Sequence, residues 1–490
     1  MVYSRHTSSA SLGGQSSFSD DELVHSPDNA KIYRHFQLVR ASLLSLTSFY
    51  IVFFVGAFSG FGPMEIMLEN DGAYAHLCTT KAAPCNAQAH ALIQVALIAA
   101  VLAQLSTPIS GAISDRYGPM VLQIVICLMA CCGIGLILIF SKTQISDLLY
   151  PAFIFVGFMS MGAAPMIMQV AELYSSESSR RIVINVLESL WAVGGGLGYW
   201  ILWAITKAGI SFRIVIGCYL ALGLLVYLIT IFLWKAIIKL KSNAQINKDD
   251  FRAVDIPTFP VTTTTQEVTH VETALKESTN HPHGTFLQQA TSYRFILICF
   301  LFAIHVARMS FTLSTAKDFL GSLGDNALNG KYLSIFSLSS PMVLLGLPLV
   351  ELFVKKFGYI FALQSINVVA LAHGIVLLGS KSLNAQVVGF VLFMFYRCFL
   401  LSICFSYLET FADKHALGKL TGLVSFTPGL LILLNIPMTQ WALVQLKGDF
   451  FWPNFTYTMV IIPLVIGVWY LGRLYPTKKD SASAGNVYVT

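Results

Sequence analysis

Gly111-Ala-Ile-Ser-Asp115-Arg116-Tyr-Gly118 is a short polar turn joining two long apolar runs, Ala89–Ile113 and Pro119–Phe140. Each run is long enough to cross a hydrocarbon core, which takes about 20 apolar residues as a helix. An Asp-Arg pair held between two such runs ties the turn to one side of a bilayer. Gly111 permits close approach of a neighbouring helix, and Gly118 permits a turn with positive φ. Asp115 is suited to cap a helix N-terminus, with Arg116 or the later Arg180 as countercharge.

The rest of the chain has the same character. Of 490 residues, 55% are hydrophobic and 11% charged, and the mean hydropathy is +0.68. Soluble globular domains carry about 25% charged residues, so this much apolar surface excludes a water-facing protein. Helices are the default spanning element, because lipid offers an open backbone no hydrogen-bond partner. The alternating ten-residue strands of an outer-membrane barrel are absent. The net charge of +6 comes from basic residues at helix ends and is not a nucleic-acid signal.

Twelve apolar runs are expected to span. The first six are Val39–Phe61, Ala89–Ile113, Pro119–Phe140, Leu148–Ala171, Ile182–Thr206 and Phe212–Trp234. The second six are Tyr293–Leu313, Tyr332–Phe353, Ile360–Gly379, Gln386–Glu409, Leu420–Val444 and Thr456–Leu474. Residues 1–38, Ser-rich and polar, read as a disordered cytoplasmic tail without a signal-peptide core, so the first run serves as the insertion signal. The expected division is a bundle over 39–234, a cytoplasmic linker over 235–292, a second bundle over 293–474 and a cytoplasmic tail over 475–490. Paired basic residues such as Arg180-Arg181, Lys355-Lys356 and Lys478-Lys479 fall on one side, and single lysines such as Lys81, Lys142 and Lys317 on the other. That asymmetry puts both termini in the cytoplasm. The fold class is an all-α polytopic membrane protein of twelve helices in two six-helix bundles.

The halves repeat. Asp115-Arg116-Tyr-Gly118 follows the second run, and Lys355-Lys356-Phe-Gly358 follows the eighth, with Val354 where the acid would be. Glu172 closes the fourth run ahead of Arg180, and Glu409 closes the tenth ahead of Lys419. Matched positions in six-helix halves are a mark of parallel transporter repeats.

With Gly111-x-x-x-Asp115-Arg116-x-Gly118 and Glu172 through Arg180, the chain resembles the major facilitator superfamily. The resemblance implies two pseudo-symmetric bundles that rock about a central cavity. It also implies that Gly111, Asp115, Arg116, Gly118, Glu172, Arg180, Lys355, Glu409 and Lys419 form a cytoplasmic gate that latches when the transporter faces outward. Pro119-Met120 stands where the superfamily usually has a basic pair, which weakens the expected latch. Three stretches narrow the likeness: Gly60-Phe-Gly62 through Tyr74, Lys207-Ala-Gly-Ile-Ser-Phe-Arg213, and Arg397-Cys-Phe-Leu with Lys414-His-Ala-Leu-Gly-Lys419. These look like the sodium-independent system L-type facilitators of large neutral amino acids and the related apicomplexan amino acid transporters. A related branch carries purine nucleobases.

A charge inside a membrane is costly and marks a functional hypothesis by default. Arg397, mid-run in Phe393-Met-Phe-Tyr-Arg397, is either a fork for a substrate carboxylate, a partner for an acid in the opposite bundle, or one member of a structural pair. Glu188 is placed to meet a substrate ammonium, carry a proton or pair with Arg397 or Arg308, with pairing or gating favoured. His305 and Arg308 lie three apart on one helix face. The resemblance implies a cavity lined by helices 1, 4, 7 and 10, so the expected substrate-binding set is Ser59, Gly60, Phe61, Met166, Gln169, Glu188, Ser310, Tyr396 and Arg397. Gly56-x-x-x-Gly60 and Gly194-x-x-x-Gly198 read as close helix contacts.

Cys78 and Cys85 share an external loop and are a disulfide candidate. The remaining seven cysteines sit in apolar runs as packing residues. No metalloprotease, nucleophile-elbow or phosphate-loop motif is present, so no enzymatic role, metal or cofactor is expected. The expected activity is alternating-access transport of amino acids, most of all facilitative uptake of large neutral ones. The alternative cargoes are a cationic amino acid, a nucleobase or a sugar, with proton coupling. The expected partners are the amino acid and the lipid bilayer, not nucleic acid, with a monomer as the working unit. The expected home is the plasma membrane, with an internal membrane such as a vacuole as alternative.

Overall fold

The computed structural model describes residues 27–56, 60–78, 85–160, 163–174, 176–243, 286–412 and 414–475. All regular structure among them is helical. α1 (Pro27–Tyr50) runs on through a π-helical turn, Ile51–Val55, which ends the first candidate span, and a separate helix, α2 (Phe61–Asn70), follows Gly60. α1 therefore begins inside the stretch read from sequence as tail. Its first residue is proline, whose missing N–H costs nothing in an opening turn.

α3 (Asn86–Leu105) leads almost directly into α4 (Thr107–Thr143). Within α4, Gly118 adopts φ 81°, ψ 171° and separates two helical stretches. α5 (Leu149–Ser160), α6 (Ala163–Ala171), α7 (Glu177–Lys207) and α8 (Phe212–Asn243) complete the first half. The Ser176 side chain caps α7 by accepting from Ser179 N at 3.1 Å, satisfying one of the donors a helix start leaves open. α8 extends past Trp234 into the expected linker, most of which lies outside the described residues.

The second half has α9 (Tyr293–Ser322), α10 (Lys331–Leu338), α11 (Met342–Gly379), α12 (Leu383–Phe411), α13 (Lys414–Ile432), α14 (Asn435–Gln440), α15 (Phe451–Met459) and α16 (Ile461–Leu474). Buried Asp325 caps the start of α10, accepting from Tyr332 N at 2.9 Å and Leu333 N at 3.0 Å. In α11, Gly358 adopts φ 82°, ψ 173°, almost the geometry of Gly118. The repeat read from sequence is thus a repeat of backbone.

Eleven helices among the described residues are long and apolar enough to cross a membrane, against twelve expected runs. The difference has a simple origin. Met342–Gly379 comprises two helical stretches, most of the eighth run and the ninth, that meet end to end at the non-helical Gly358 and so make one uninterrupted span.

Each half has its own apolar core. The seam between them is made largely by α3. Its residues Ala89, Ile93, Leu97 and Val101 recur every four positions, a stripe along one face, and pack into the core of the second half. Across from it, Gly429 of α13 sits where a Cβ would meet the Leu105 and Gln104 side chains. Asn454, in a glycosylation sequon, is buried within α15.

Candidate functional site

The two halves are tied together at the end of the molecule opposite Gly118. Glu65 and Glu69 are one turn apart on α2 and share a face, while Lys317 and Asp318 stand near the end of α9. The Lys317 ammonium lies 3.0 Å from Glu65 Oε1 and 3.6 Å from Asp318 Oδ1, and it also pairs with Glu69. The Glu65 side chain is wholly buried, and those of Glu69, Lys317 and Asp318 are 7%, 11% and 14% exposed. Glu65 and Glu69 lie beyond the first candidate span, Arg34–Val55. Burial pushes the Glu65 carboxyl well above the usual range; Asp318 and Glu69 push the same way and Lys317 opposes them. Glu69 is raised as well, chiefly by burial and against Lys317.

Two further ties lie at this end. Lys207 on α7 donates to Asn329 O at 2.8 Å, with its ammonium 4.5 Å over the Trp203 ring. Asn86 on α3 donates to Leu443 O at 3.0 Å. A cavity of about 730 Å³ lies between these ties, lined by Glu69, Asp71, Trp203, Lys207, Lys317 and Asp318 among others. A disulfide joins Cys78 to Cys85 at the same end.

The Gly118 end is built differently. Asp115, Arg116, Glu172 and Arg180 are exposed and form no ion pair with another described residue. Lys355 pairs with Glu351 on its own helix at 2.9 Å. Lys419 is exposed with its ammonium 5.9 Å over the Phe286 ring, and Glu409 is exposed at the end of α12. The halves are therefore bolted at the Lys317 end, and at the Gly118 end Asp115, Arg116, Glu172, Arg180, Lys355 and Lys419 are exposed.

Between the ends, the glycines of α7 allow backbones to touch. A Cβ on Gly56 would meet Gly194 Cα at 3.0 Å, and one on Gly60 would run into Gly195 O. Gly196 instead faces the other half, against Ser337 and Ser340, and Ser340 Oγ donates to Val193 O at 3.0 Å. One glycine run thus serves contacts both within the first half and across the seam.

Two cations are buried in the second half. Arg308 donates to Ala370 O at 2.8 Å and lies 3.3 Å from His373 Nδ1. Its neighbour His305 bonds the Tyr396 hydroxyl at 2.7 Å and Asn367 Oδ1 at 3.0 Å. Asn435 donates to Ala307 O at 3.0 Å and accepts from the Tyr457 hydroxyl. Arg397 differs. It is 5% exposed, its guanidinium lies 5.9 Å from the Phe393 ring centre, and its Nε and Nη1 have no hydrogen-bond partner.

The family model of the major facilitator superfamily matches residues 44–435. The chain belongs to the major facilitator superfamily. It is a multi-pass membrane transporter. Among solved structures it is similar to an auto-inhibited POT family peptide transporter, at 13% identity and TM-score 0.56, covering 89% of this chain and 98% of that one. It is similar also to the human organic anion transporter MFSD10 (TETRAN), at 12% identity and TM-score 0.55, over 88% and 99% of the two chains. The nucleoside transporter NupG stands at 12% identity and TM-score 0.54, again over 88% and 99%. At such identities these structures establish the shared fold. No curated protein sequence matches the chain.

Within the facilitator fold the residues expected to bind substrate fall into different settings. Ser59 lies outside the described residues. Gly60, Gln169, Glu188 and Ser310 are half-buried. Phe61 packs edge-on against Phe153, centroids 5.5 Å apart, and Met166 is fully buried, both in the core of the first half. Tyr396 is buried in the second half and its hydroxyl is spent on His305. Neither Arg308 nor Arg397 forms an ion pair with Glu188.

Sequence reading missed the Lys317 cluster. Lys317 reads there as one of several single external lysines. The available signal was the four-residue spacing of Glu65 and Glu69, which puts two acids on one face just beyond an apolar run.

Proposed function

We propose that this transporter carries amino acids by alternating access, moving large neutral ones by sodium-independent facilitation across the plasma membrane. The observation that carries the reading is Arg397. A buried guanidinium with two N–H-bearing nitrogens unpaired is expensive to keep, and a carboxylate answers it in charge and in planar geometry. Aromatic and aliphatic neighbours such as Phe393 suit a bulky apolar side chain better than a sugar. The three stretches resembling system L-type facilitators support the same class. The Gly118 end is assigned to the cytoplasm because Arg116, Arg180, Lys355, Lys356 and Lys419 gather there. The disulfide at the opposite end fits an oxidising exterior.

A second reading, transport of cationic amino acids, draws on one observation. Glu188 is a half-buried carboxylate on α7 that pairs with neither Arg308 nor Arg397, and an ammonium or guanidinium on a substrate side chain would be welcome there.

Uptake of labelled leucine and arginine into proteoliposomes separates the two. Saturable leucine flux that is lost in Arg397→Lys, with the protein still folded, supports the first reading. Arginine flux that depends on Glu188 supports the second. Absence of saturable flux for every amino acid sinks both.

A further inference from the structure

We propose that the Lys317 cluster is a proton-binding outer gate: it shuts with a proton held among Glu65, Glu69 and Asp318, and opening returns that proton to the same side. The proposal rests on the alternating-access reading of the preceding section, though not on any particular cargo.

Charge count is the first argument. Three carboxyl groups face one ammonium in a site where the most exposed side chain is 14% exposed. Two surplus negative charges at that depth are far costlier than one or none. Other charged groups nearby do not relieve them. Lys207 is spent on Asn329 O, Arg213 donates to Ser141 O, and Asp325 is an acceptor for the start of α10.

Geometry says which group takes the proton. Lys317 pairs with Glu69 and with Glu65 Oε1, and Asp318 is the most exposed of the three acids. Glu65 Oε2 and Asp318 Oδ2 both lack a donor, and of the two residues only Glu65 is wholly buried. An ionised carboxylate collects donors, whereas a neutral one tolerates their absence at lower cost. Burial and the neighbouring acids also raise this carboxyl above its ordinary range.

Position makes the proton a switch. α2 belongs to the first half and α9 to the second, so opening this end must part Glu65 from Lys317 and admit water. The shut gate thus has the higher proton affinity. Its stabilisation by that proton is complete at acid pH and is lost as pH rises through the shut-state pKa. Since the proton enters and leaves from one side, external pH sets how often the gate opens without a proton being carried across.

The test reads opening directly. Ala89 lies in the seam, 4% exposed and at the cavity wall. Ala89→Cys, in the full-length protein in sealed membranes, is labelled with a membrane-impermeant maleimide from the disulfide side, with the unsubstituted chain as background. Because the thiolate is the reacting form, labelling is read at each pH as a ratio to that of a cysteine placed on a fully exposed loop of the same end, and this ratio is expected to rise with external pH, by up to about tenfold per unit for one titrating site. Adding Glu65→Gln should hold the ratio low and flat. Adding Asp318→Asn removes one of the fields acting on Glu65 and should keep the rise while moving it to lower pH. If Glu65→Gln fails to fold, the Asp318→Asn displacement decides alone. A ratio that ignores pH, keeps the parental profile in Glu65→Gln, or is unmoved by Asp318→Asn overturns the proposal.

Discussion

At the Lys317 end the halves are held by ions taken out of water, where one ammonium serves two helices and three acids. At the Gly118 end the charges stand in solvent, and what is specific is the backbone. Gly118 and Gly358 have φ/ψ of 81°/171° and 82°/173°, although their flanking charges are Asp115-Arg116 in one half and Lys355-Lys356 in the other. The internal repeat preserves the turn and lets the charges diverge. The ion pairs that join the halves are buried, whereas the pair beside Gly358 is left wet.

The comparison predicts very unequal effects. Lys317→Met removes the only cation pairing with Glu65 and Glu69 among the described residues. Breaking a buried ion network from one side costs about 3–5 kcal/mol, so a large fall in the thermal midpoint of the detergent-purified protein is expected. Lys317→Arg should recover part of it. A midpoint unchanged in Lys317→Met would mean that the cluster does not hold the halves together.

Smaller losses are expected at the glycine breaks. A Cβ at Gly118 meets nothing within 4 Å, so the cost of Gly118→Ala is conformational only. Backbone near φ 81°, ψ 171° is close to glycine-only territory, and forcing an L-residue there costs about 1–3 kcal/mol. Gly358→Ala should cost the same within error, because its backbone is the same. If the two midpoints shift by clearly different amounts, the equivalence of the halves is one of shape and not of energy.

These contrasts also explain what could be read from the chain. The Gly118 turn is legible because a glycine, a fixed spacing and two apolar flanks are all local. The break between the eighth and ninth runs is legible for the same reason, since Gly358 interrupts the helical backbone with the same geometry. The Lys317 cluster depends on two halves meeting, and Glu69 and Lys317 are 248 positions apart with no local sign of their pairing. The inner lining fails for another reason. A membrane helix such as α12 is apolar all round, so periodicity does not tell which face looks into the pathway. Tyr396 and Arg397 are neighbours in sequence, yet one is consumed by His305 and the other is left with unpaired nitrogens.

The smallest effect is expected at Lys355, and it is the sharpest test of the contrast. Lys355 and Glu351 pair at 2.9 Å, but they are 72% and 68% exposed. Glu preceding Lys by four residues is the favourable order on a helix, yet exposed pairs of this kind are worth only about 0.3–0.5 kcal/mol and are screened by salt. Lys355→Ala should therefore leave the thermal midpoint almost where it was, with about a tenth of the shift expected for Lys317→Met. If Lys355 matters, it matters when the Gly118 end closes, and the substitution should change the rate of transport or the labelling of a cysteine near Gly118 while stability stays put. A drop in stability comparable to that of Lys317→Met would show that the exposed charges also bear the fold, and the division between a buried bolt and a wet latch would have to be given up.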